Sequence, residues 1–352
     1  MQVLIPDGDD GHIPLTVLRS LKYSSRVKAG VLARDKWSPI KFSRHYSYFE
    51  YHDINEFNEK RINAIMNAAK KMQADIILPT ELGTIKLLAQ YKNEITPHFK
   101  LADLPPLEWL EIVSDKSLLA KYLEKEQIPS PTTLILTGNG SFYKEILNLK
   151  FPVLLKPVDG FGGNGIKFFD TPSALQEFLE RNDIQGQYIV QSFILGYDID
   201  CSVLCKDGRI LAYTIQRSVV PGKSEYEPAA SIEFLFHEHV YEVVRDLMKK
   251  LNWSGVAHID LRYDEVEKIP KIIEINPRYW GSLIGSMAAG VNFPYLACLT
   301  SMGVEYELPE YKFISFSRAF TKLPEKNKKN YTSLPFILSD PFPEMYREIF
   351  KK

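Results

Sequence analysis

The sequence predicts an α/β protein of more than one lobe, and three observations carry that expectation. Short apolar runs alternate with helix-spaced stripes through the first hundred residues, the pattern of a parallel sheet covered by helices. A proline-marked change of pattern follows near residues 103–114. The chain is 352 residues long, enough for two or three compact units of roughly 100–200 residues each.

Val3, Leu4 and Ile5 form the first buried strand, followed by the turn Asp7-Gly8-Asp9-Asp10-Gly11. That turn lacks the three-glycine spacing of a dinucleotide fingerprint, and its three aspartates repel a phosphate. It reads as a polar loop closing a strand. A second strand fits residues 27–33. Residues 56–73 place Ile62, Ile65, Met66, Ala69 and Met72 on one helical stripe. Ile76, Ile77 and Leu78, ended by Pro79, form another strand of this small parallel lobe. Pro105, Pro106 and residues 107–113 read as a linker. Ser114 or Asp115 caps a helix carrying Leu118, Leu119, Tyr122 and Leu123, and Pro129 and Pro131 stop it. Strand, helix and strand follow at 132–136, 141–149 and 153–157. Asp207-Gly208 marks a hairpin, and a helix is expected over 236–251. On it His237 and His239 point to different sides, so they are not a metal pair.

Charge and cysteine content exclude several classes. The 43 basic and 44 acidic residues leave a formal charge of −1, so no global field holds a nucleic-acid backbone. Cys201, Cys205 and Cys298 are too few to staple the chain, which points to a reducing, cytoplasmic home. Cys201 and Cys205 read as core fillers on a strand. The N-terminus does not resemble a signal peptide, and no run of about 18 apolar residues suggests a membrane span. Lys326, Lys328 and Lys329 read as a solvated surface run.

Residues 156–165 hold Lys156 and the glycines Gly160, Gly162, Gly163 and Gly165. Glycine lets backbone amides approach an anion closely. Residues 166–169 are β-like, so the loop is the tip of a hairpin. Such a tip is either a flap folding over phosphates or only a mobile turn. As a flap, residues 160–165 are expected to be poorly ordered without nucleotide.

Residues 254–278 carry the strongest argument. An antiparallel hairpin with Asp260 opposite Glu274 puts His258 opposite Asn276 and Arg262 opposite Ile272. Alternation then collects Ala257, Ile259, Leu261, Tyr263, Ile273 and Ile275 on a dry face. The other face holds His258, Asp260, Arg262, Glu274 and Asn276, with Ile272 at its edge. Two directly opposed carboxylates sit about 5 Å apart at Cβ and repel. The cation between them is Arg262 or another basic side chain, or it is Mg²⁺, which takes oxygen ligands at about 2.1 Å. Pro277 ends the strand, and Arg278 just beyond it can reach a phosphate.

Four segments in this order resemble the ATP-grasp superfamily: Lys116 in Ser114-Asp115-Lys116; Lys156 with the glycine flap; Gln191-Ser192-Phe193-Ile194-Leu195-Gly196-Tyr197-Asp198; and Glu274-Ile275-Asn276-Pro277-Arg278 with Asp260 upstream. The likeness covers roughly residues 105–305, and carbamoyl-phosphate-synthetase-like and D-aspartate-ligase-like members are nearest in character. It implies an ATP-grasp fold of two lobes clasping ATP after a Rossmann-like pre-ATP-grasp domain. The implied division is 1–104, 105–190 for the small lobe with its flap, and 191–352 for the large lobe with its metal platform and tail.

The resemblance further implies an ADP-forming carboxylate–amine ligase that uses ATP with Mg²⁺ or Mn²⁺. A kinase stopping at phosphoryl transfer and a non-catalytic nucleotide-binding module are the alternatives. Lys116 and Lys156, with Gly160, Gly162 and Gly163, would contact ATP. Gln191, Phe193, Ile194 and Asp198 would seat adenine and ribose. Asp260, Glu274 and Asn276 would hold metal. Gln191 stands where many members place a glutamate, and His258 where some place an oxyanion-stabilising arginine. That catalytic role is therefore spread over His258, Arg262 and Arg278. Within an expected loop at 216–226, Arg217 clamps a substrate carboxylate or forms a surface ion pair. Tyr279, Trp280, Gly281 and Ser282 border the acceptor pocket or pack. The partners implied are small-molecule carboxylates and amines, without nucleic acid or membrane, and a homodimer is common among such enzymes.

Overall fold

The structure is a computed structural model that describes residues 1–8, 12–24, 26–136, 142–159, 163–182, 186–222, 229–308, 310–317 and 330–350. The first lobe builds β1 (Gln2–Ile5), α1 (Ile13–Lys22), β2 (Lys28–Ala33), β3 (Tyr46–Tyr51), α2 (Glu59–Met72), β4 (Ile76–Ile77) and α3 (Leu82–Gln90). The strands form a parallel sheet in the order β3-β2-β1-β4. Val3 and Ile5 enter one buried cluster and Leu4 the other, because a parallel sheet is covered on both faces. α2 starts at Asn58, whose side chain accepts from the Lys60 amide, the ordinary N-cap arrangement. The sequence reading did not include α1 or the tyrosine-rich edge strand β3.

After α4 (Lys92–Ile95) come α5 (Leu107–Ser114) and α6 (Lys116–Lys125). The segment expected as a linker is therefore mostly helix. Asp115 caps α6, its Oδ1 accepting from the Ser117 and Leu118 amides at 2.8 and 2.9 Å. Leu110, Val113, Leu119 and Leu123 share one core cluster with Leu4 of the first sheet and Ile259 further along.

A second, antiparallel sheet runs in the order β5-β8-β6-β7, from β5 (Thr133–Leu136), β6 (Val153–Pro157), β7 (Lys167–Phe169) and β8 (Tyr188–Ser192). The helices α7 (Tyr143–Leu147) and α8 (Pro172–Arg181) belong to the same region. β6 and β7 pair antiparallel, and the glycine run lies between them in the sequence. Gly160 and Gly162 lie outside the described residues, and with them the expectation about the order of the flap. Gly163 and Gly165 have φ of 80° and 78°, which glycine tolerates without strain.

The third sheet has seven strands in the order β13-β12-β9-β10-β11-β14-β15. These are β9 (Gly196–Lys206), β10 (Arg209–Val220), β11 (Ser231–Leu235), β12 (Gly255–Asp264), β13 (Ile269–Asn276), β14 (Ser315–Ser317) and β15 (Asn330–Thr332). The β9–β10 turn places both Asp207 and Gly208 at positive φ, the geometry of a tight hairpin. Helices α9 (Glu238–Lys250), α10 (Leu283–Ala288), α11 (Phe293–Met302), α12 (Leu334–Ser339) and α13 (Phe342–Phe350) complete the chain. His237 caps α9, accepting from the Val240 amide at 3.4 Å. Among the described residues no helix is long and apolar enough to cross a membrane.

Candidate functional site

β12 and β13 pair with Asp260 opposite Glu274 and His258 opposite Asn276, as alternation demanded. The register then slips. A bulge puts Leu261 opposite Ile272 and Arg262 opposite Lys271, so Ile273 is the extra residue. Ile272 is 1% exposed and takes the core place expected for Ile273, which is half-buried. Two adjacent isoleucines make either choice equal in hydrophobic pattern, so the sequence does not reveal the slip.

β9 lies on the other side of β12, and Asp200 stands opposite Asp260. A polar row thus crosses four strands: Gln216, Asp200, Asp260, Glu274. Beside it runs Ser202, His258, Asn276. Asp200, His258 and Asp260 bring ligand atoms within 4.8 Å of one another. Asp200 was not anticipated, although Asp198, Asp200 and Ser202 alternating with Ile199, Cys201 and Val203 carried the signal.

Hydrogen bonds fix this face. Gln216 Nε2 donates to Asp200 Oδ2 at 2.9 Å, and Ser282 Oγ donates to Gln216 Oε1 at 2.7 Å. Asn276 Nδ2 donates to Asp260 Oδ2 at 3.2 Å. Arg278 donates to Asn276 Oδ1 at 3.2 Å and to the Tyr279 carbonyl at 2.8 Å. His258 Nε2 lies 3.2 Å from Asp260 Oδ1, and its Nδ1 lies 2.8 Å from Ser202 Oγ.

The electrostatics are uneven. Burial and the charge of Asp260 push the Glu274 carboxyl up, against the opposing pull of Lys116, Lys156 and Arg278. Burial and Asp260 push the Asp200 carboxyl well above the usual carboxylate range, with His258 and the Gln216 donor opposing. Burial lowers His258, but the hydrogen bond and charge of Asp260, with Asp200 behind, outweigh it and raise the imidazole. Burial and like charge together make this face costly to keep ionised. A divalent cation with hard oxygen ligands offsets that cost. Asp200, His258 and Asp260 bring their ligand atoms closest together, and Glu274 and Asn276 stand beside them in register. As placed, Asn276 turns its nitrogen toward Asp260 and its oxygen toward Arg278, so a cation at Oδ1 would compete with Arg278 and leave the bond to Asp260 in place.

The second sheet supplies the other side. Lys156 is 7% exposed, and burial lowers it to about 8, with Glu274 opposing and Lys116 reinforcing. Its Nζ donates to Gln191 Oε1 at 2.7 Å, and Gln191 Nε2 donates to Thr133 Oγ1 at 3.1 Å. Lys156 thus meets a neutral amide at Gln191. Lys116 Nζ donates to the Val158 carbonyl at 3.2 Å, at the foot of the glycine hairpin. Phe193 meets Phe168 edge-on at 5.4 Å.

Two expected site residues stand elsewhere. Arg262 grips the segment between the lobes: Nε donates to the Ile194 carbonyl at 2.7 Å, NH2 to the Gly196 carbonyl at 2.8 Å and NH1 to Asp198 at 2.5 Å. It also lies over the Phe193 ring at 5.1 Å. This clamps the linker and leaves the guanidinium committed away from Glu274, which removes Arg262 from the oxyanion candidates. Arg217 pairs with Ile199 in register, one residue out of phase with Gln216, and so faces the opposite side of the sheet. There it forms an ion pair with Glu233 and lies over the Tyr197 ring. Residues 216–220 are strand rather than the expected loop, and 223–226 lie outside the described residues. Tyr279 and Trp280 are buried and serve packing, whereas Ser282 reaches the polar row.

Comparison with known proteins bears on this geometry. A family profile for an ATP-grasp domain matches residues 113–282. D-aspartate ligase of Enterococcus faecium is 23% identical over 257 residues, covering 66% of this chain and 61% of that protein. D-alanine–D-alanine ligase of Bacillus anthracis is 26% identical over 179 residues, covering 47% of this chain and 57% of that one. The chain thus spans less than two thirds of either relative. The biotin carboxylase domain of Hydrogenobacter thermophilus 2-oxoglutarate carboxylase, solved with MgADP, ADP and bicarbonate, superposes with a TM-score of 0.67 at 17% identity. That match covers 89% of this chain and 72% of the solved one, and at this identity it speaks for the fold.

Proposed function

Residues 113–282 are an ATP-grasp domain, and from that premise we propose that the chain is an ATP- and Mg²⁺-dependent ligase that activates a carboxylate as an acyl phosphate and joins it to an amine. The observation that carries this reading is the register of Asp260 with Glu274, where two carboxylates are held together while Lys116, Lys156 and Arg278 act on Glu274 from around it. A surface built only for stability would not oppose like charges at one position.

The roles follow from position. Lys116 and Lys156, with the hairpin bearing Gly160, Gly162 and Gly163, hold the polyphosphate. Gln191, Phe193, Ile194 and Asp198 seat the base and ribose, and Arg262 keeps that linker in shape. Asp260, Glu274 and Asn276 hold the divalent ion. When bound, Mg²⁺ screens phosphate charge and orients the transferring group. A carboxylate oxygen of the acid attacks the γ-phosphorus and ADP departs. The amine nitrogen then attacks the acyl carbon, phosphate leaves with the bonding pair, and the nitrogen loses its proton. Arg278 is the cation placed to steady the phosphoryl oxygens through this exchange. The flap excludes water from the acyl phosphate.

The curated relatives carry amino acids in their names, so amino acids are the first substrates to try. The test is ADP release from Mg-ATP with a panel of acid–amine pairs, with Glu274→Ala as control. Stimulated release that falls about 10³-fold in the variant, an effect of about 4 kcal/mol on the barrier, supports the ligase. A phosphorylated product without condensation identifies a kinase. Tight nucleotide binding without turnover on any pair identifies a non-catalytic module.

A further inference from the structure

We propose that Ser202, His258 and Asp260 form a positioning relay, in which His258 fixes the Asp260 carboxylate for divalent-cation binding instead of touching the reacting atoms. The inference rests on the reading of Asp260 as a metal ligand and deepens it.

Both ring nitrogens of His258 are spent. Nε2 lies 3.2 Å from Asp260 Oδ1, and Nδ1 lies 2.8 Å from Ser202 Oγ. An ionised carboxylate only accepts, so Nε2 carries its hydrogen toward Asp260. In the neutral ring the Ser202 hydroxyl then donates to Nδ1. Ser202 is completely buried and His258 is 9% exposed, which leaves little of the ring for a substrate to reach. To donate to a developing oxyanion, His258 would have to abandon one of these bonds.

The ring is also held flat. It stacks on Trp280 with centroids 5.4 Å apart and planes 12° from parallel, and Trp280 meets Phe293 edge-on at 4.9 Å. Trp280 is 2% exposed, and its indole N–H finds no acceptor among the described residues. The indole therefore sits in this place with its donor unsatisfied, and what it contributes there is a wall behind the imidazole. The aspartate is fixed from both sides: His258 takes Oδ1, and Asn276 Nδ2 donates to Oδ2 at 3.2 Å. Outer groups that orient a ligand in this way set metal affinity.

The test is Mn²⁺ titration followed by electron paramagnetic resonance, with ADP present, on the full chain and on His258→Ala, His258→Gln, Ser202→Ala and Asp260→Asn. The expected result is Mn²⁺ binding about 10–100-fold weaker in His258→Ala, partly recovered in His258→Gln, whose amide can still donate. Ser202→Ala weakens it by a smaller factor, and metal-free ADP affinity stays the same in all three. Should His258→Ala fail to fold, His258→Gln and Ser202→Ala carry the test. Unchanged Mn²⁺ affinity in folded His258 variants, with a fall confined to kcat, would overturn the relay and return His258 to the reacting atoms. Wild-type protein that takes up no more Mn²⁺ than Asp260→Asn would overturn the metal reading itself, and the relay with it.

Discussion

Asp7, at the end of the first parallel lobe's leading strand, and Glu274, on the platform hairpin, are both carboxylates withdrawn from water, and burial pushes both upward. Their surroundings differ. Asp7 accepts from the Thr80 amide at 2.7 Å, the Thr80 hydroxyl at 3.3 Å and the Glu81 amide at 3.2 Å, with Arg61 3.7 Å away. Glu274 instead faces another carboxylate in register, with cations arranged around it. The first is a knot that ties the β1 and β4 ends together. The second is an arrangement under repulsion, useful only when something else binds. A carboxylate held by backbone amides marks architecture, and two carboxylates opposed in register mark a site.

The sharpest way to break this comparison is to exchange the consequences. Glu274→Gln is expected to lower any acid-stimulated ADP release about 10³-fold while leaving the unfolding midpoint unchanged or higher, since a like-charge contact is removed. Asp7→Ala is expected to do the reverse. It orphans two amides and removes one of several partners of the Arg61 guanidinium, and costs about 2–4 kcal/mol in denaturant unfolding, with turnover per folded molecule retained. Loss of stability in the first variant, or of turnover alone in the second, would invert the assignment.

Lys156 extends the contrast to a cation. Burial lowers it to about 8 from the ordinary 10.5, so between these values the unfolded chain binds the proton more tightly. Stability should therefore rise with pH across that window, and the penalty is fully present below about pH 8. Its size is about 3 kcal/mol. Denaturant unfolding of wild type and Lys156→Met from pH 7.5 upward checks the sign: wild type gains on the variant as pH rises. The smallest effect belongs to Arg217→Ala, whose half-exposed ion pair on the far face should move stability by about 1 kcal/mol or less and leave turnover nearly unaltered.

These contrasts also show what the sequence made legible. Asp260 opposite Glu274 and His258 opposite Asn276 were readable because one turn joins the two strands and alternation sets the faces. A cap at Ser114 or Asp115 and a hairpin at Asp207-Gly208 were readable because both are local chemistry. Asp200 was not placed, because its neighbour in space comes from a strand about sixty residues away whose pairing is tertiary. Arg217 reads as a loop residue, where facing is free, but it stands on a strand, where a single step reverses the face. The bulge at Ile273 escaped because Ile272 and Ile273 are interchangeable as core residues. The parting of Arg262 from the catalytic face followed from the carbonyls of Ile194 and Gly196, which no side-chain pattern displays.

The most direct test of the account is calorimetric ADP binding with and without Mg²⁺, in wild type and Glu274→Gln. The account predicts that Mg²⁺ tightens binding at least about tenfold in wild type, about 1.4 kcal/mol, and that the variant loses this gain. Binding indifferent to Mg²⁺ in wild type, or a full Mg²⁺ effect surviving in Glu274→Gln, would contradict it.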